Sequence, residues 1–152
     1  MVLAISATGI VCGGGLLPYA NFPAKVNSHL AKCPTTATVE TTGALLTRRL
    51  IARTATDAEL WNFIHSVCDW GGKTGNRVRG TIQAKFNAVN TMTCFSQATS
   101  TLSATTAATP LPALETNLLQ AISQITQVHG LSTSYGSKML RFLRPDIAGV
   151  FD

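Results

Sequence analysis

The stretch Pro112–Asp152, PALETNLLQAISQITQVHGLSTSYGSKMLRFLRPDIAGVFD, reads as two helices pinched around a glycine. Leu114, Leu118, Leu119, Ile122, Ile125 and Val128 recur at the spacing of one face of a 3.6-residue helix. Gly130 follows Val128 by two residues, where a helix ends by entering a left-handed conformation that costs glycine nothing. After Leu131 and the polar trio Ser132, Thr133 and Ser134, a second apolar face begins at Met139, Leu140, Phe142 and Leu143. Pro145 stops it, because proline cannot continue a helix. Helices are expected over 112–128 and 134–143.

Working back towards the N-terminus, the same periodicity predicts helices over 40–53, 57–69 and 76–89. The second has a start signal: Thr56-Asp57-Ala58-Glu59 is a capping box, in which hydroxyl and carboxylate satisfy each other's orphan amides. Its apolar stripe is Leu60, Trp61, Phe63, Ile64, Val67 and Cys68, and Gly71 and Gly72 end it. In the first helix Leu45, Leu46, Leu50 and Ile51 point inward by period; in the third, Val78, Ile82, Phe86 and Val89 do. Strand signals are scarce, so the fold class is all-α. One helical domain is expected over 1–152. It comprises an irregular lead-in over 1–39 with a short helix near 24–32, a helical lobe over 40–95, a Ser/Thr/Ala-rich linker over 96–109, and a hairpin lobe over 110–152. The expected core is Leu60, Ile64, Ile82, Phe86, Leu118, Ile122, Ile125, Leu140 and Leu143.

Composition bounds the function. The chain has 152 residues, enough for one domain with a core. Its formal net charge of +5 leans towards an anionic partner. Cys12, Cys33, Cys68 and Cys94 are widely spaced with no C-x-x-C, which argues against a zinc site; they read as reduced thiols, at least two of them buried, with two disulfides as the alternative in a secreted chain. No metal or other cofactor is expected. The apolar N-terminus lacks a basic n-region and is broken by glycines, so neither a signal peptide nor a membrane span is read there. The run Gly71-Gly72-Lys73-Thr74-Gly75 is not a phosphate loop, because Val67 stands where the first glycine is needed and no strand precedes it. That excludes a nucleotide cofactor and leaves a basic loop that is either a solvated connection or a contact to a nucleic-acid backbone. His29, His65 and His129 are scattered and read as structural; Trp61 and Trp70 read as packing residues.

The hairpin offers more. The first amides of a helix lack internal partners and sit at the positive end of its dipole, so the start of the second helix suits a phosphate oxygen. Ser132, Thr133 and Ser134 add hydroxyls; Lys138, Arg141 and Arg144 add charge along the helix. Contacts of this kind position a protein on nucleic acid without reading its sequence.

The run Ile125-x-x-Val128-x-Gly130-Leu131-Ser132-x-x-x-Gly136-x-x-Met139-Leu140 resembles the helix-hairpin-helix motif of DNA repair proteins, and most nearly that of the 8-oxoguanine branch of the DNA glycosylases. Gly130 and Leu131 match the motif; Ser132 stands where a second glycine is usual and Gly136 where alanine is usual. The resemblance implies double-stranded DNA as partner, with Gly130, Ser132, Thr133, Ser134, Lys138, Arg141 and Arg144 at the interface. It also implies a cytoplasmic or nucleoid-associated location. Asp152 stands at the interval of the family's catalytic aspartate, after the loop 145–151. Ser134 aligns with the lysine nucleophile of the bifunctional members, so any base excision is expected to be monofunctional. Two other readings stand beside this one: a non-catalytic DNA-binding module, and a helical protein whose hairpin is only a joint. Exposure of Arg141 and Arg144 on the hairpin side separates them.

Overall fold

The computed structural model describes residues 3–5, 8–12, 15–21, 23–24, 27–28, 31, 33 and 35–148. The chain divides into two units, 1–36 and 37–152.

The first unit corrects the expectation of an irregular, sheet-free lead-in. Strands β1 (Leu3–Ile5), β2 (Gly9–Cys12) and β3 (Gly15–Pro18) form an antiparallel meander in that order. Ala4 pairs with Val11, and Ile10 with Leu17. The physical reason is local. Short apolar runs bounded by glycine are strand signals, and the glycines that break any helical period here fall at strand ends. A 3-10 turn, Tyr19–Asn21, follows. The helix expected near 24–32 falls largely outside the described residues.

The second unit is all-α, as expected. Among the described residues its helices are α1 (Thr36–Ile51), α2 (Asp57–Trp70), α3 (Gly72–Ala84), α4 (Ala88–Thr101), α5 (Leu111–Ile125) and α6 (Thr133–Leu143). The centre is α2, whose Leu60, Phe63, Ile64, Val67 and Cys68 are wholly buried. Its start is fixed by the capping box: Thr56 N–H donates to Glu59 Oε2 at 3.0 Å, and Glu59 N–H to Thr56 Oγ1 at 3.3 Å. Phe63 meets Phe95 of α4 edge-on at 6.3 Å between centroids, and Trp70 meets Phe142 of α6 at 5.1 Å. Trp61 stacks against Phe86 at 4.6 Å. Both tryptophans are packing residues.

Two helix contacts are set by glycine. A Cβ on Gly75 would sit 1.6 Å from the Cys68 carbonyl oxygen, so α3 folds back on the end of α2 closer than any side chain allows. A Cβ on Gly43 would sit 2.0 Å from the Phe142 carbonyl oxygen. That approach lets Thr47 Oγ1 donate to the Leu143 carbonyl at 2.8 Å, tying α1 to the end of α6.

The largest departure is the segment expected as a linker over 96–109. Most of it belongs to α4 or its end, and α4 buries Thr91, Cys94, Phe95, Ala98 and Thr99. Its hydroxyls do not need water, because Thr91 Oγ1 donates to Asn87 O and Thr99 Oγ1 to Phe95 O, each at 2.8 Å. The helix expected over 76–89 is accordingly two pieces. α3 ends at Ala84, and Asn87 caps α4 by accepting from Asn90 N–H at 2.9 Å. Val89 then lies in the exposed first turn of α4 rather than in the core, and Leu45 and Ile51 of α1 are also exposed. Seven of the nine expected core residues are buried; Phe86 and Leu118 are partly buried against the cluster. Among the described residues no helix is long and apolar enough to cross a membrane.

Candidate nucleic-acid interface

Helix α5 ends at Ile125 and is capped by Thr126, whose N–H donates to the Ile122 carbonyl at 2.9 Å. The chain then turns through Gln127–Leu131. Val128 and Leu131 are buried and anchor the turn, while His129 between them is exposed. Gly130 has φ +91, the left-handed conformation expected of it. A Cβ there would also press on α3, 3.0 Å from Thr81 Cγ2 and 3.2 Å from Ile82 N. The turn therefore sits directly on α3.

Helix α6 opens at Ser132, which has extended backbone (φ −86, ψ 172) and makes no side-chain cap. Ser132 and Thr133 are exposed; Ser134 is half-buried. Lys138 Nζ donates to Ser134 Oγ at 3.0 Å and lies 5.1 Å from the centre of the Tyr135 ring. The amine that sequence spacing sets one turn below Ser134 thus reaches the hydroxyl itself.

The other two cations of α6 are placed differently from the sequence expectation. Arg141 pairs with Glu40 of α1 at 2.5 Å. Arg144 holds four bonds: to the Leu102 carbonyl, to the Thr105 carbonyl at 2.6 Å, and as a fork to Asp146 at 2.9 and 2.7 Å. Its side chain is only 16% exposed. The Arg144 fork also holds the Asp146 carboxyl below the ordinary carboxylate range. Both guanidinium groups bind helices together, and neither is presented at the turn. Sequence periodicity puts them on the right helix but says nothing of Glu40 or of the carbonyls at the end of α4.

The exposed cations nearest Thr81 in sequence are Arg77, four residues before it on the same row of α3, and Lys85, four residues after it at the C-cap just past Ala84; Thr81 is exposed as well. Thr81, the middle residue, is the one that touches Gly130. The basic run Gly71–Gly75 singled out in sequence as a loop is mostly the first turn of α3, which starts at Gly72. Arg79, off that row, pairs with Asp69 at 2.7 Å.

Asp152 lies outside the described residues, so its expected catalytic placement has no counterpart here. Cys68 and Cys94 are buried free thiols, and burial pushes Cys68 up to about 11. Such a thiol is packing, not a nucleophile. His65 is half-buried against Trp61 at 4.3 Å, and burial holds its imidazole below the ordinary histidine range. No protein-family model, curated protein or solved structure matches the chain.

Proposed function

We propose that the helical unit binds double-stranded DNA by its phosphate backbone, at the α5–α6 turn. The observation that carries this reading is a juxtaposition. Gly130, at φ +91, rests on Thr81, which stands one turn after the exposed Arg77 of α3 and four residues before the exposed Lys85 at its C-cap. A phosphate at the opening turn of α6 would meet the exposed Ser132 and Thr133 hydroxyls at the positive end of the helix dipole. Neighbouring phosphates would meet Arg77 and Lys85. Contacts of this type give affinity without sequence preference.

The finer reading is that the chain is a relative of the helix-hairpin-helix DNA glycosylases. In that reading it flips a damaged base from the stack, since the glycosidic bond is out of reach within the duplex. Asp152 would be the carboxylate that stabilises the cationic sugar. Ser134 in the nucleophile's place makes the reaction monofunctional. The Lys138 amine, 3.0 Å from Ser134 Oγ, is the group that would contradict this. Borohydride trapping on a duplex carrying an oxidised purine tests it, and a covalent adduct lost in Lys138→Gln refutes monofunctional cleavage. DNA binding is in turn what supports a cytoplasmic or nucleoid-associated location.

A second reading is favoured by one observation: Arg141 and Arg144 are engaged inside the unit. It makes the turn a joint between helices with no ligand. Fluorescence anisotropy of a duplex of about 20 base pairs separates the two. Backbone binding is expected to weaken linearly in log–log salt, and Arg77→Gln and Lys85→Gln each to lower the slope by about 1. Absence of binding at low ionic strength refutes the proposal and leaves the joint.

A further inference from the structure

Away from the turn, the end of α1 carries an unusual residue. Its last turn closes with Arg53 N–H on the Leu50 carbonyl at 3.2 Å and Thr54 N–H on the Arg49 carbonyl at 2.9 Å. That is the bond pattern of a helix end whose terminal position is left-handed, a place held as a rule by glycine. Here it is Arg53, with φ 57, and it is the only residue other than glycine with positive φ among those described. A long side chain in this conformation is disfavoured by contact between its Cβ and the backbone.

Arg53 stands over a groove between the end of α1 and α4. Two hollows share Leu50, Arg53 and Ser96 in their walls. One, of about 140 Å³, is closed by Ala55 and Met92. The other, of about 310 Å³, is floored by Gln97, Ser100 and Ser103. The groove is thus apolar at one end and rich in hydroxyl and amide groups at the other, with a guanidinium between. Among the described residues no side chain bonds or pairs with that guanidinium, with Ser96 Oγ or with the Gln97 amide. Ser103 Oγ donates to the Ser100 carbonyl at 2.8 Å, and the Ser100 hydroxyl bonds no group among the described residues.

We propose that this groove binds a small organic phosphate ester. The phosphate sits between Arg53 and the α4 hydroxyls, and an apolar group the size of a ring enters the Met92–Ala55 end. A planar guanidinium fork recognises the oxygens of such an anion two at a time. Ser96, Gln97 and Ser100 supply further donors, more than the two oxygens of a carboxylate use. The left-handed arginine fits this reading, because the position favours glycine for folding and the side chain is what the groove needs. The proposal is independent of DNA binding at the α5–α6 turn.

The test is a ¹H–¹⁵N correlation titration of the full chain with phenyl phosphate. Saturable shifts are expected at the amides of Arg53, Ser96, Gln97 and Ser100, with a dissociation constant on the order of 1 mM. Arg53→Gly is the informative variant. Glycine accepts φ 57 without strain, so its melting temperature is expected to equal or exceed that of the parent while affinity falls about tenfold or more. Arg53→Lys, which keeps the charge and loses the fork, is expected to lie between the two. Unsaturable shifts, or an affinity unchanged in Arg53→Gly, overturn the proposal. Benzoate binding as tightly as phenyl phosphate overturns the assignment to phosphate. Loss of duplex affinity in Arg53→Gly, without phenyl phosphate binding in the parent, would place Arg53 in the DNA footprint and overturn it too.

Discussion

Replacing Arg144 with glutamine keeps a polar side chain of similar reach but removes the fork and the charge. In the structure that guanidinium serves the Leu102 and Thr105 carbonyls, of residues 0% and 2% exposed. The Leu102 carbonyl keeps the Thr105 N–H at 3.1 Å, so the Thr105 carbonyl is the one left without its donor, at about 1–3 kcal/mol. The glutamine amide recovers part of one bond. The pair with Asp146 is half in solvent, and its loss adds little, about 0–1 kcal/mol. The net expectation is a destabilisation of about 1–3 kcal/mol, a sizeable part of the roughly 5–15 kcal/mol that holds a domain together. Urea denaturation followed by circular dichroism at 222 nm would show a lower midpoint with an unchanged slope. The melting temperature should fall by roughly 5 °C. Duplex affinity, measured where both proteins are folded, should stay within about twofold. The pair also carries a pH signature. The Asp146 carboxyl is held below its ordinary value, so its contribution is in place above about pH 4 and is lost as pH falls through the lowered value. Arg144→Gln should flatten that acid limb. An unchanged midpoint together with a large loss of duplex affinity would refute the reasoning and return Arg144 to the DNA interface.

Gly75→Ala should destabilise by about 3 kcal/mol or more, because a methyl 1.6 Å from the Cys68 carbonyl forces α3 off α2; a urea midpoint equal to the parent's would contradict the described crossing. His65 gives a pH prediction of the same sign as Asp146: its imidazole is held low, mainly by burial and then by Arg79, so the folded state binds fewer protons. Its contribution is complete above the ordinary histidine value of about 6.5 and is lost as pH falls towards the folded value. Trp61, 4.3 Å away, should report this as a change in emission with a midpoint below about 6.5, absent in His65→Gln; a midpoint above it would count against burial.

What was legible in the sequence was local or strongly periodic. Helix α2 was expected over 57–69 and spans Asp57–Trp70, because the Thr56–Glu59 box and a broad apolar stripe point to the same start and face. Helices α5 and α6 were legible from leucine spacing and from Gly130. Helix α4 was not, since serine and threonine read as solvated when counted by type. Their hydroxyls bond the carbonyl one turn back, as Thr91, Thr93 and Thr99 do, and that bond hides their polarity from the core. At the candidate interface the turn itself was legible. The partners of Arg141 and Arg144 were not, because Glu40, Leu102 and Thr105 come to them through tertiary packing. Arg77, Thr81 and Lys85 had a visible signal in their four-residue spacing within the helix expected over 76–89, but periodicity says nothing of the contact between Thr81 and Gly130.

The backbone contacts at Gly43 and Gly75 bear on descent. Each places a carbonyl oxygen where any side chain would begin, at 2.0 Å and 1.6 Å from a hypothetical Cβ. Substitution at these two sites is barred by geometry, whatever the organism's use for the protein. Leucines can trade with methionines and surface threonines with serines, so lineages sharing this architecture drift apart until overall similarity fades. The two glycines cannot drift. Paired with a third that needs positive φ, Gly130, they form a sparse fingerprint spaced along the chain. Such a triplet would mark distant cousins after the rest of their sequences had diverged.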